Sequence, residues 1–444
     1  MKQYESYKES GIEWLGQIPS HWNIVHIKNF FQVISGATPD SSNTNYWDGD
    51  IKWITPADFK TSDHFVSTGK RNITEEGYNS CGTSLVPAGS LIFSKRAPIG
   101  TVAISSNVLC TNQGCLSCVP FEKICYSPYY YYLFSVLTEA FEMLGSGSTF
   151  LEISANNFSN FPISAPPFKE QQTIAAYLDY KVSQIDAAIT EKEQMLEDLK
   201  AYRSSIISET VTKGLDKNVE MKDSGIEWLG MIPQKWGLVK LKNKAKVNGR
   251  IGFRGYTTAD LVQAGEGAYT IGGKHITNCV LDLSNPEYIS WDKYYESPEI
   301  MVHKGDILMA QRGSLGKTAL VREDIGPATI NPSLVLLNSI EMSEVFLYYY
   351  LISNTCLAYI DLLNTATAVP MISQNQIENI FIPIPSHAEQ AEIASFLDEK
   401  TTEINNSISL VSSQIVDLKA YKSAIITEAV TGKVDLRDWK PNKK

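Results

Sequence analysis

The stretch "DILMAQRGSLGKTAL", residues 306–320, contains the residues whose spacing most suggests phosphate chemistry. Gly316, Lys317 and Thr318 follow a strand-like run, as in a nucleotide-binding loop. Such a loop also needs a glycine five residues before the second one, because the backbone N–H groups of its turn must converge on the β-phosphate. Gln311 stands at that place, so the sequence argues against a nucleotide site.

A second copy of this stretch shows which features the two segments share. Residues 86–104, "VPAGSLIFSKRAPIGTVAI", align without a gap with residues 302–320. Arg96 matches Arg312, but a threonine replaces the lysine of the loop motif. The common pattern is a strand, an arginine, a turn with a glycine and a second strand. It predicts a repeated hairpin that carries an arginine.

Three cysteines have the spacing of an iron–sulfur site. Cys110, Cys115 and Cys118 are separated by four and two residues, as in plant-type ferredoxins. The segment nevertheless reads as a strand, and its internal copy places Leu334 and Leu337 where two of these cysteines lie. Cysteine often behaves as a small buried hydrophobe. We therefore predict that these residues pack in the core.

Two further patterns resemble catalytic motifs but are incomplete. The "PD" at 39–40 with the "DIK" at 50–52 imitates a metal-dependent nuclease, yet it lies in a turn-rich loop and has no counterpart in the second copy. The "NPEY" at 285–288 imitates the N-P-P-Y of amino-methyltransferases, with glutamate in place of a proline. The six histidines show no metal-ligand or triad spacing. We expect no catalytic, cofactor or metal site on this chain.

Composition indicates an ordinary globular protein. The chain has 444 residues, 43% hydrophobic and 20% charged, which suits two or three domains. It has no run of about 18 apolar residues and no apolar segment at its start, so we expect a cytoplasmic protein. The net charge of −10 excludes a protein that coats nucleic acid by bulk electrostatics, so any nucleic-acid contact must be local or shared with a partner.

The elements that position these residues are repeated along the chain. "SGIEWLGQIPSHW" at residues 10–22 returns as "SGIEWLGMIPQKW" at 224–236. A longer segment that begins "EQQTIAAYLDYK" at Glu170 returns as "EQAEIASFLDEK" at Glu389. Between these blocks the two copies have diverged. Each half is therefore a similar frame around a different domain.

The longer repeat predicts a helix with an apolar seam. Positions 178, 182, 185 and 189 step by four and three and hold Leu, Val, Ile and Ile, and the second copy continues the same heptad pattern. Such a helix of about 40 residues would be roughly 60 Å long. Two similar seams in one chain can bury each other as an antiparallel pair. The alternative is that each helix packs on the sheet of its own domain.

We expect an α+β protein in which two strand-rich α/β domains are separated by two long antiparallel coiled-coil helices, in a pseudo-twofold internal repeat. The predicted segments are a first repeat segment at 1–22, a domain at 23–165, a long helix at 166–213, a linker with the second repeat segment at 214–236, a domain at 237–384, a long helix at 385–432 and a tail at 433–444.

The repeated "SGIEWLG.IP..W", the "LKAYR" and "LKAYK" followed by "VT", and the "YWDGDIKWIT" and "AGSLIFSKRAPIG" of the first domain together resemble the specificity subunit of type I restriction–modification systems. The resemblance covers essentially the whole chain. It implies that the two domains are target-recognition domains, each of which reads one half of a bipartite, gapped site in double-stranded DNA.

The resemblance also implies what surrounds the chain. The helices would set the spacing and dock two methyltransferase subunits, and restriction and translocase subunits would join through the complex. The chain would be non-catalytic, with S-adenosylmethionine, and ATP with Mg for restriction, bound by partner subunits.

By this analogy we expect DNA contacts from the hairpins and from the polar loops. The hairpin candidates are Lys95, Arg96, Gln311, Arg312 and Lys317. The loop candidates are Asn43, Tyr46, Trp47, Lys52, Arg250, Arg254, Tyr256, Lys274 and His275.

Several alternatives remain open at this point. Arg96 and Arg312 could be structural arginines paired with carboxylates. Trp14 and Trp228 of the "IEWLG" segments could anchor the core or a partner. The whole chain could also be a non-DNA adaptor that holds two copies of a partner protein, or a fused methyltransferase or nuclease, which the missing motifs disfavour.

Overall fold

The computed structural model describes residues 2–96, 98–146, 151–250, 252, 255–364 and 369–440. The chain divides into two compact units, which are Met1–Glu193 with Ser413–Lys444 (unit 1) and Gln194–Ser412 (unit 2). Each unit contains one strand-rich domain and part of each long helix. The repeat in the sequence is therefore also a repeat of architecture.

The first domain and its flanking segment are built from short strands and short helices. The strands are β1 (Tyr7–Glu9), β2 (Gln17–Pro19), β3 (Asn23–His26), β4 (Phe31–Ser35), β5 (Trp47–Ile54), β6 (Phe65–Val66), β7 (Asn72–Ile73), β8 (Leu91–Ser94), β9 (Val102–Ser105), β10 (Cys110–Thr111), β11 (Cys115–Pro120) and β12 (Pro162–Ala165). The helices are α1 (Glu75–Asn79), α2 (Ser127–Ser135), α3 (Thr138–Glu142) and α4 (Ala155–Ser159).

The main sheet of unit 1 has the strand order β4-β11-β8-β9-β6. β6 runs parallel to β9, and the other neighbours are antiparallel. β8 and β9 are buried along their whole length, which explains the continuous apolar runs in "SLIFS" and "TVAIS". A smaller sheet has the order β10-β5-β7.

The cysteines singled out by their spacing lie in this core. Cys110 is in β10, and Cys115 and Cys118 are in β11, all three fully buried. Burial raises the pKa of the Cys110 thiol to about 11, so this thiol stays protonated at neutral pH. The predicted core packing is confirmed. The described residues contain no group of three or more side chains that could hold a metal ion.

The second domain repeats this plan with different lengths. The first long helix is α5 (Phe168–Lys213), and the strands after it are β13 (Met221–Asp223), β14 (Met231–Pro233), β15 (Gly237–Lys240), β16 (Lys246–Gly249), β17 (Leu261–Val262), β18 (Gly267–Ile271), β19 (Ile276–Thr277), β20 (Val280–Leu281), β21 (Tyr288–Ser290), β22 (Ile307–Ala310), β23 (Thr318–Leu320), β24 (Ala328–Ile330), β25 (Leu334–Asn338) and β26 (Phe381–Ile384). The helices are α6 (Trp291–Tyr295), α7 (Glu344–Leu351), α8 (Asn354–Leu363), α9 (Gln374–Glu378) and the second long helix, α10 (His387–Val430). Two four-stranded sheets have the orders β16-β25-β22-β23 and β17-β21-β18-β24.

Each strand-rich domain begins and ends with one antiparallel strand pair. β3 pairs with β12 in the first domain, and β15 pairs with β26 in the second. The closing strand of each pair leads into a long helix through Pro166-Pro167 or Pro385-Ser386. The domain is thus an insertion whose two ends meet at the start of its helix.

The long helices pack against each other within each unit. In unit 1, Lys422 Nζ lies 2.7 Å from Asp186 Oδ1, and Lys419 Nζ lies 3.0 Å from Glu193 Oε1. Residue numbers therefore rise on one helix as they fall on the other, which is antiparallel packing. The seam residues at 178, 182, 185 and 189 are all buried.

In unit 2 the last part of α5 and the first part of α10 join one apolar cluster. Ile207 and Val211 of α5 share it with Ile393 and Leu397 of α10. The same cluster contains Phe346 of the second domain, so the helix pair also packs on that domain. The two packing arrangements considered from the sequence therefore occur together, and both long helices are confirmed.

The repeated "EQ" at the start of each long helix ties it to its own domain. Gln171 Nε2 donates to the carbonyls of Ile124 and Pro166, at 3.0 and 2.9 Å. Gln390 Nε2 donates to the Pro385 carbonyl at 2.9 Å, and its Oε1 accepts from the Ser343 N–H, also at 2.9 Å. In both copies the glutamine thus satisfies backbone groups at the junction between domain and helix.

The helix pair is covered differently in the two units. In unit 1 the tail places the Trp439 ring 5.5 Å from Tyr177 and 5.9 Å from Tyr180, between ring centroids. In unit 2 the linker after Lys213 leaves an open groove of about 760 Å³. Its apolar lining is Tyr202, Ile206, Leu215, Val219, Met221, Met231 and Phe396.

Helices α7 and α8 contain the aromatic run of the second domain, and Tyr349 and Tyr350 lie in its core. Among the described residues no single helix combines the length and the apolar composition needed to cross a membrane. Only α7 and α8 taken together, with a bend of 61° between them, meet that criterion.

Candidate nucleic-acid interface

The repeated hairpin predicted from the sequence is present in both domains. β8 pairs antiparallel with β9, and β22 pairs antiparallel with β23. The Ser94 N–H donates to the Thr101 carbonyl and the Ala310 N–H to the Lys317 carbonyl, both at 2.8 Å. A strand, rather than the N-terminus of a helix, follows Gly316. The segment therefore lacks the structure of a phosphate loop.

The glycine of each hairpin is required by its conformation and by a close contact. Gly100 has φ +94° and Gly316 has φ +72°, in the left-handed region that favours glycine. A Cβ at Gly316 would lie 2.6 Å from Leu357 Cδ2, and one at Gly100 would lie 2.9 Å from Thr138 Cγ2. Leu357 of α8 and Thr138 of α3 therefore contact the two hairpins at equivalent positions.

In the first domain the hairpin cations are paired with a carboxylate. Lys95 Nζ lies 2.8 Å from Glu152 Oε1, and an Arg96 terminal nitrogen lies 3.5 Å from Glu152 Oε2. The hydrogen bond from Lys95, with the charge of Arg96 beside it, lowers the pKa of Glu152 below its ordinary value. Arg96 therefore does lie beside a carboxylate, as expected if it is a structural arginine.

In the second domain the hairpin arginine has different neighbours. The Arg312 side chain is exposed, and its backbone faces Met371 rather than an acid. Gln311 is buried, and its Nε2 donates to the carbonyls of Pro332 and Leu334 at 3.1 and 3.3 Å. Lys317 is exposed at the other side of the loop. Gln311 therefore holds the loop, whereas Arg312 and Lys317 face solvent.

A short 3₁₀ turn lies near each hairpin, at residues 55–58 in the first domain and 272–275 in the second. The side chain of the last residue of each turn caps it. In the first domain, the Asp58 carboxylate accepts the Thr55 N–H at 2.8 Å. In the second domain, His275 Nδ1 accepts the Gly272 N–H at 3.0 Å, so its Nε2 carries the proton and donates to the Asn285 carbonyl at 3.2 Å. His275 is buried. Its ring caps the turn in this structure, and DNA contact by His275 stays a prediction.

An asparagine loop connects the turn to the hairpin in both domains. The Asn112 N–H donates to the Ile54 carbonyl, and the Asn331 N–H donates to the Ile271 carbonyl, both at 2.8 Å. The next residues of these loops accept from the hairpins, since the Lys95 N–H donates to Gly114 and the Gln311 N–H donates to Ser333, at 3.0 and 2.9 Å. We call the hairpin loop, the asparagine loop and the 3₁₀ turn of each domain its three-loop face.

In the first domain the three-loop face surrounds a cleft of about 550 Å³. Its polar and charged lining comes from all three loops and from the segment after the turn, namely Thr55, Lys60, Thr61, Arg96, Thr101 and Asn112. Arginine, lysine, threonine and asparagine are side chains that bind phosphates and base edges. The cleft is therefore chemically suited to a strand of nucleic acid.

Two further candidates are buried and hold the fold. Arg250 is 6% exposed, and it donates to the Ile330 carbonyl and to Thr329 Oγ1, both at 3.1 Å. Burial lowers the pKa of its guanidinium. Trp47 is also buried, with Nε1 donating to the Asp40 carbonyl at 3.2 Å. Like His275 and Gln311, these two residues direct their polar groups to backbone and side-chain partners within the fold. DNA contact by any of the four stays a prediction.

The remaining loop candidates lie at or near the surface. Asn43 caps the turn before β5, and Tyr46 and Lys52 are partly exposed. Tyr256 accepts a hydrogen bond from Thr270 Oγ1 at 3.2 Å, and exposed Lys274 lies 2.6 Å from Glu287. Arg254 lies outside the described residues. DNA contact by any of these residues stays a prediction.

The fold brings to these loops further polar residues that no sequence pattern indicated. Lys60 and Asn112 line the cleft beside Arg96. Arg71 lies over the Trp47 ring, 4.2 Å from its centroid. An alignment of the two copies could have identified Asn112, because Asn331 occupies the same loop, but no spacing signal pointed to Lys60 or Arg71.

The tryptophans of the repeated "IEWLG" segments are stacked within their own units. Trp14 stacks on Phe161 at 6.0 Å, and Trp228 stacks on Tyr359 at 4.3 Å, between ring centroids. Both are partly buried. They anchor the repeat segments to the neighbouring domains.

Comparison with known families supports a DNA-related role. The family model described as "Type I restriction modification DNA specificity domain" matches residues 19–198 and 271–410, more than half of the chain. The MjaIX specificity subunit of Methanocaldococcus jannaschii is 28% identical over 438 residues, 97% of each chain. The EcoBI specificity subunit of Escherichia coli is 24% identical over 306 residues, 64% of this chain and 62% of that protein.

Two solved structures share the fold. A chain from work on complex assembly and conformational transition of the type I R-M system has a TM-score of 0.75 at 16% identity, covering 94% of this chain and 99% of that one. The HsdS subunit from Thermoanaerobacter tengcongensis has a TM-score of 0.54 at 16% identity, covering 94% and 98%. At such identities the likeness concerns the fold alone. Together with the family match, it shows that the chain belongs to the type I restriction–modification DNA specificity family and is a DNA specificity subunit.

Proposed function

We propose that the two strand-rich domains read the two halves of a bipartite, gapped site in double-stranded DNA, and that each does so through its three-loop face. The long helices would set the spacing between the half-sites and dock two methyltransferase subunits. Restriction and translocase subunits would join through that complex.

One observation carries this proposal, namely that the three-loop faces keep their backbone hydrogen bonds while their side chains differ. The turn is "TPAD" in one domain and "GGKH" in the other, yet both are closed by the side chain of the last residue onto the N–H of the first. A conserved scaffold with exchanged side chains is what two readers of different DNA sequences need.

The acidic composition fits a subunit that shares DNA with partners. A net charge of −10 cannot attract a duplex by itself, so partner subunits would supply much of the phosphate contact. Local arginines and lysines would then orient each domain on the backbone.

Catalysis would belong to the partner subunits. S-adenosylmethionine would bind to the methyltransferase subunits, and ATP with Mg to the restriction subunits. The present chain would contribute recognition alone. The family match supports this role over the adaptor that holds two partners without DNA.

The test is co-expression with methyltransferase subunits of the same source, followed by genome-wide mapping of methylated adenines with and without this chain. A split motif should disappear without the chain. Exchange of residues 23–165 or 237–384 for another domain should change one half of the motif and leave the other. Methylation that does not depend on the chain would contradict the proposal.

A further inference from the structure

The two hairpins differ in charge at two facing positions, one on the hairpin and one on the segment opposite it. The first domain has Lys95 and Arg96 on the hairpin with Glu152 facing them, whereas the second has Gln311 and Arg312 facing a methionine. On this arm of the hairpin, two cations with one carboxylate and one cation with a methionine leave the same single excess positive charge. The other arm differs, because Lys317 of the second hairpin stands where the first has Thr101.

The exchange occurs on one backbone frame. Arg96 forms an antiparallel bridge with Glu152, and Arg312 forms one with Met371. The residue after each of these partners donates its N–H back to the hairpin, from Ile153 to the Lys95 carbonyl and from Ile372 to the Gln311 carbonyl, both at 3.0 Å. Glu152 and Met371 therefore occupy equivalent positions.

Glu152 is directed at the lysine more closely than at the arginine. Its Oε1 lies 2.8 Å from Lys95 Nζ, whereas the nearest Arg96 nitrogen is 3.5 Å away. The Lys95 side chain is 13% exposed and that of Arg96 is 35% exposed. The carboxylate thus neutralises the inner cation and leaves the outer one available. Arg96 also lines the cleft of the three-loop face.

We propose that Glu152 is a charge-balancing residue. It neutralises Lys95, so that this arm of the first hairpin presents a single positive charge, that of Arg96, to the DNA backbone. The equivalent arm of the second hairpin presents that of Arg312. This role rests on the proposed function. An extra free cation would strengthen binding to phosphates of any sequence, and discrimination between sequences would fall.

The test uses the complete complex with its methyltransferase subunits and two duplexes, one with the mapped site and one with that site scrambled. Dissociation constants are measured over a range of salt concentrations. Glu152→Met should bind the scrambled duplex several-fold more tightly at low salt. The slope of log K against log salt should steepen by about one, because one more phosphate is neutralised.

Two matched variants separate charge balance from a merely structural ion pair. Lys95→Gln with Glu152→Met gives positions 95 and 152 the residues found at the equivalent positions 311 and 371, and it should restore the wild-type slope and discrimination. Met371→Glu, at a residue 43% exposed, should weaken binding to both duplexes and reduce the slope by about one.

The proposal is overturned if Glu152→Met leaves the slope unchanged or weakens binding, or if the double variant behaves like Glu152→Met. If the Glu152 variant does not fold, a Met371→Glu complex that binds both duplexes with the wild-type affinity and salt slope overturns the proposal. If the proposed function itself is wrong, the wild-type complex will bind the mapped and the scrambled duplex equally well. This result differs from every outcome that overturns the role of Glu152 alone.

Discussion

At the scale of single residues, the two hairpin arginines occupy equivalent places in different surroundings. Arg96 shares Glu152 with Lys95, whereas Arg312 is exposed opposite an apolar residue. The effect of removing an arginine should therefore be clearest in the second domain.

Arg312→Gln is expected to lower the affinity of the complex several-fold for the mapped and the scrambled duplex alike, because a phosphate contact carries no sequence information. The salt slope should fall by about one. Lys304→Gln is the matched control, since it removes the same charge from an exposed residue near the other end of β22. Equal losses in both variants would show a general charge effect instead of a contact.

His64 gives unit 1 a pH dependence. Its ring stacks on Tyr131, with 4.1 Å between ring centroids, and burial lowers its pKa below the ordinary 6.5. The unfolded chain then takes up a proton more readily than the folded one, so stability is complete above about pH 6.5 and falls as the pH drops towards the folded-state pKa. Thermal melting at pH 7.5 and 5.5 should show a smaller loss for His64→Phe than for the wild type. His387→Gln, at an exposed histidine, should behave like the wild type.

At the scale of elements, helix contacts fix the hairpins as well as strand pairing does. Gly316 combines a positive φ with the side chain of Leu357, whereas Gly305, just before β22, has φ +90° and open space around it. Substitutions at Gly305 and Gly316 can therefore separate the cost of backbone strain from the cost of a steric clash.

Gly305→Ala should cost about 1–2 kcal/mol of stability, because it adds only the left-handed strain. Gly316→Ala should cost roughly a further 1–3 kcal/mol, because its Cβ would overlap α8. Urea unfolding of unit 2, followed by tryptophan fluorescence, would measure both. Equal costs would mean that Leu357 moves aside freely.

Local sequence patterns predicted the helices and strands. The roles of individual side chains could be assigned only once the fold showed which distant residues they contact. Heptad spacing is a property of one segment, so the long helices could be read from residues such as Leu178 and Val182. The role of His275 could not, because its partner Asn285 lies beyond two intervening strands. The burial of Arg250 could likewise not be predicted, since only the sheet places its partners Thr329 and Ile330 beside it.

At the scale of the whole molecule, the chain uses one plan twice, but it has two chain ends and only one linker. The N-terminal segment and the tail meet in unit 1, where the Asp435 N–H donates to the Lys2 carbonyl at 2.9 Å. Unit 2 has only the linker at the corresponding place. The two similar units therefore also differ in the segments beside their long helices.

The contact between Trp439 of the tail and α5 affects how readily the two ends of that helix open. The tail residue Trp439 packs on Tyr177 and Tyr180 near the start of α5, while the end of α5 borders the open groove. Segments with less buried apolar surface open more often and exchange their amide hydrogens sooner. In hydrogen-exchange mass spectrometry the amides of residues 205–213, at the end of α5, should exchange faster than those of 173–181, near its start. Trp439→Ala should bring the two rates closer, so a single aromatic ring would make one helix end a long-lived structure and leave its counterpart to fray.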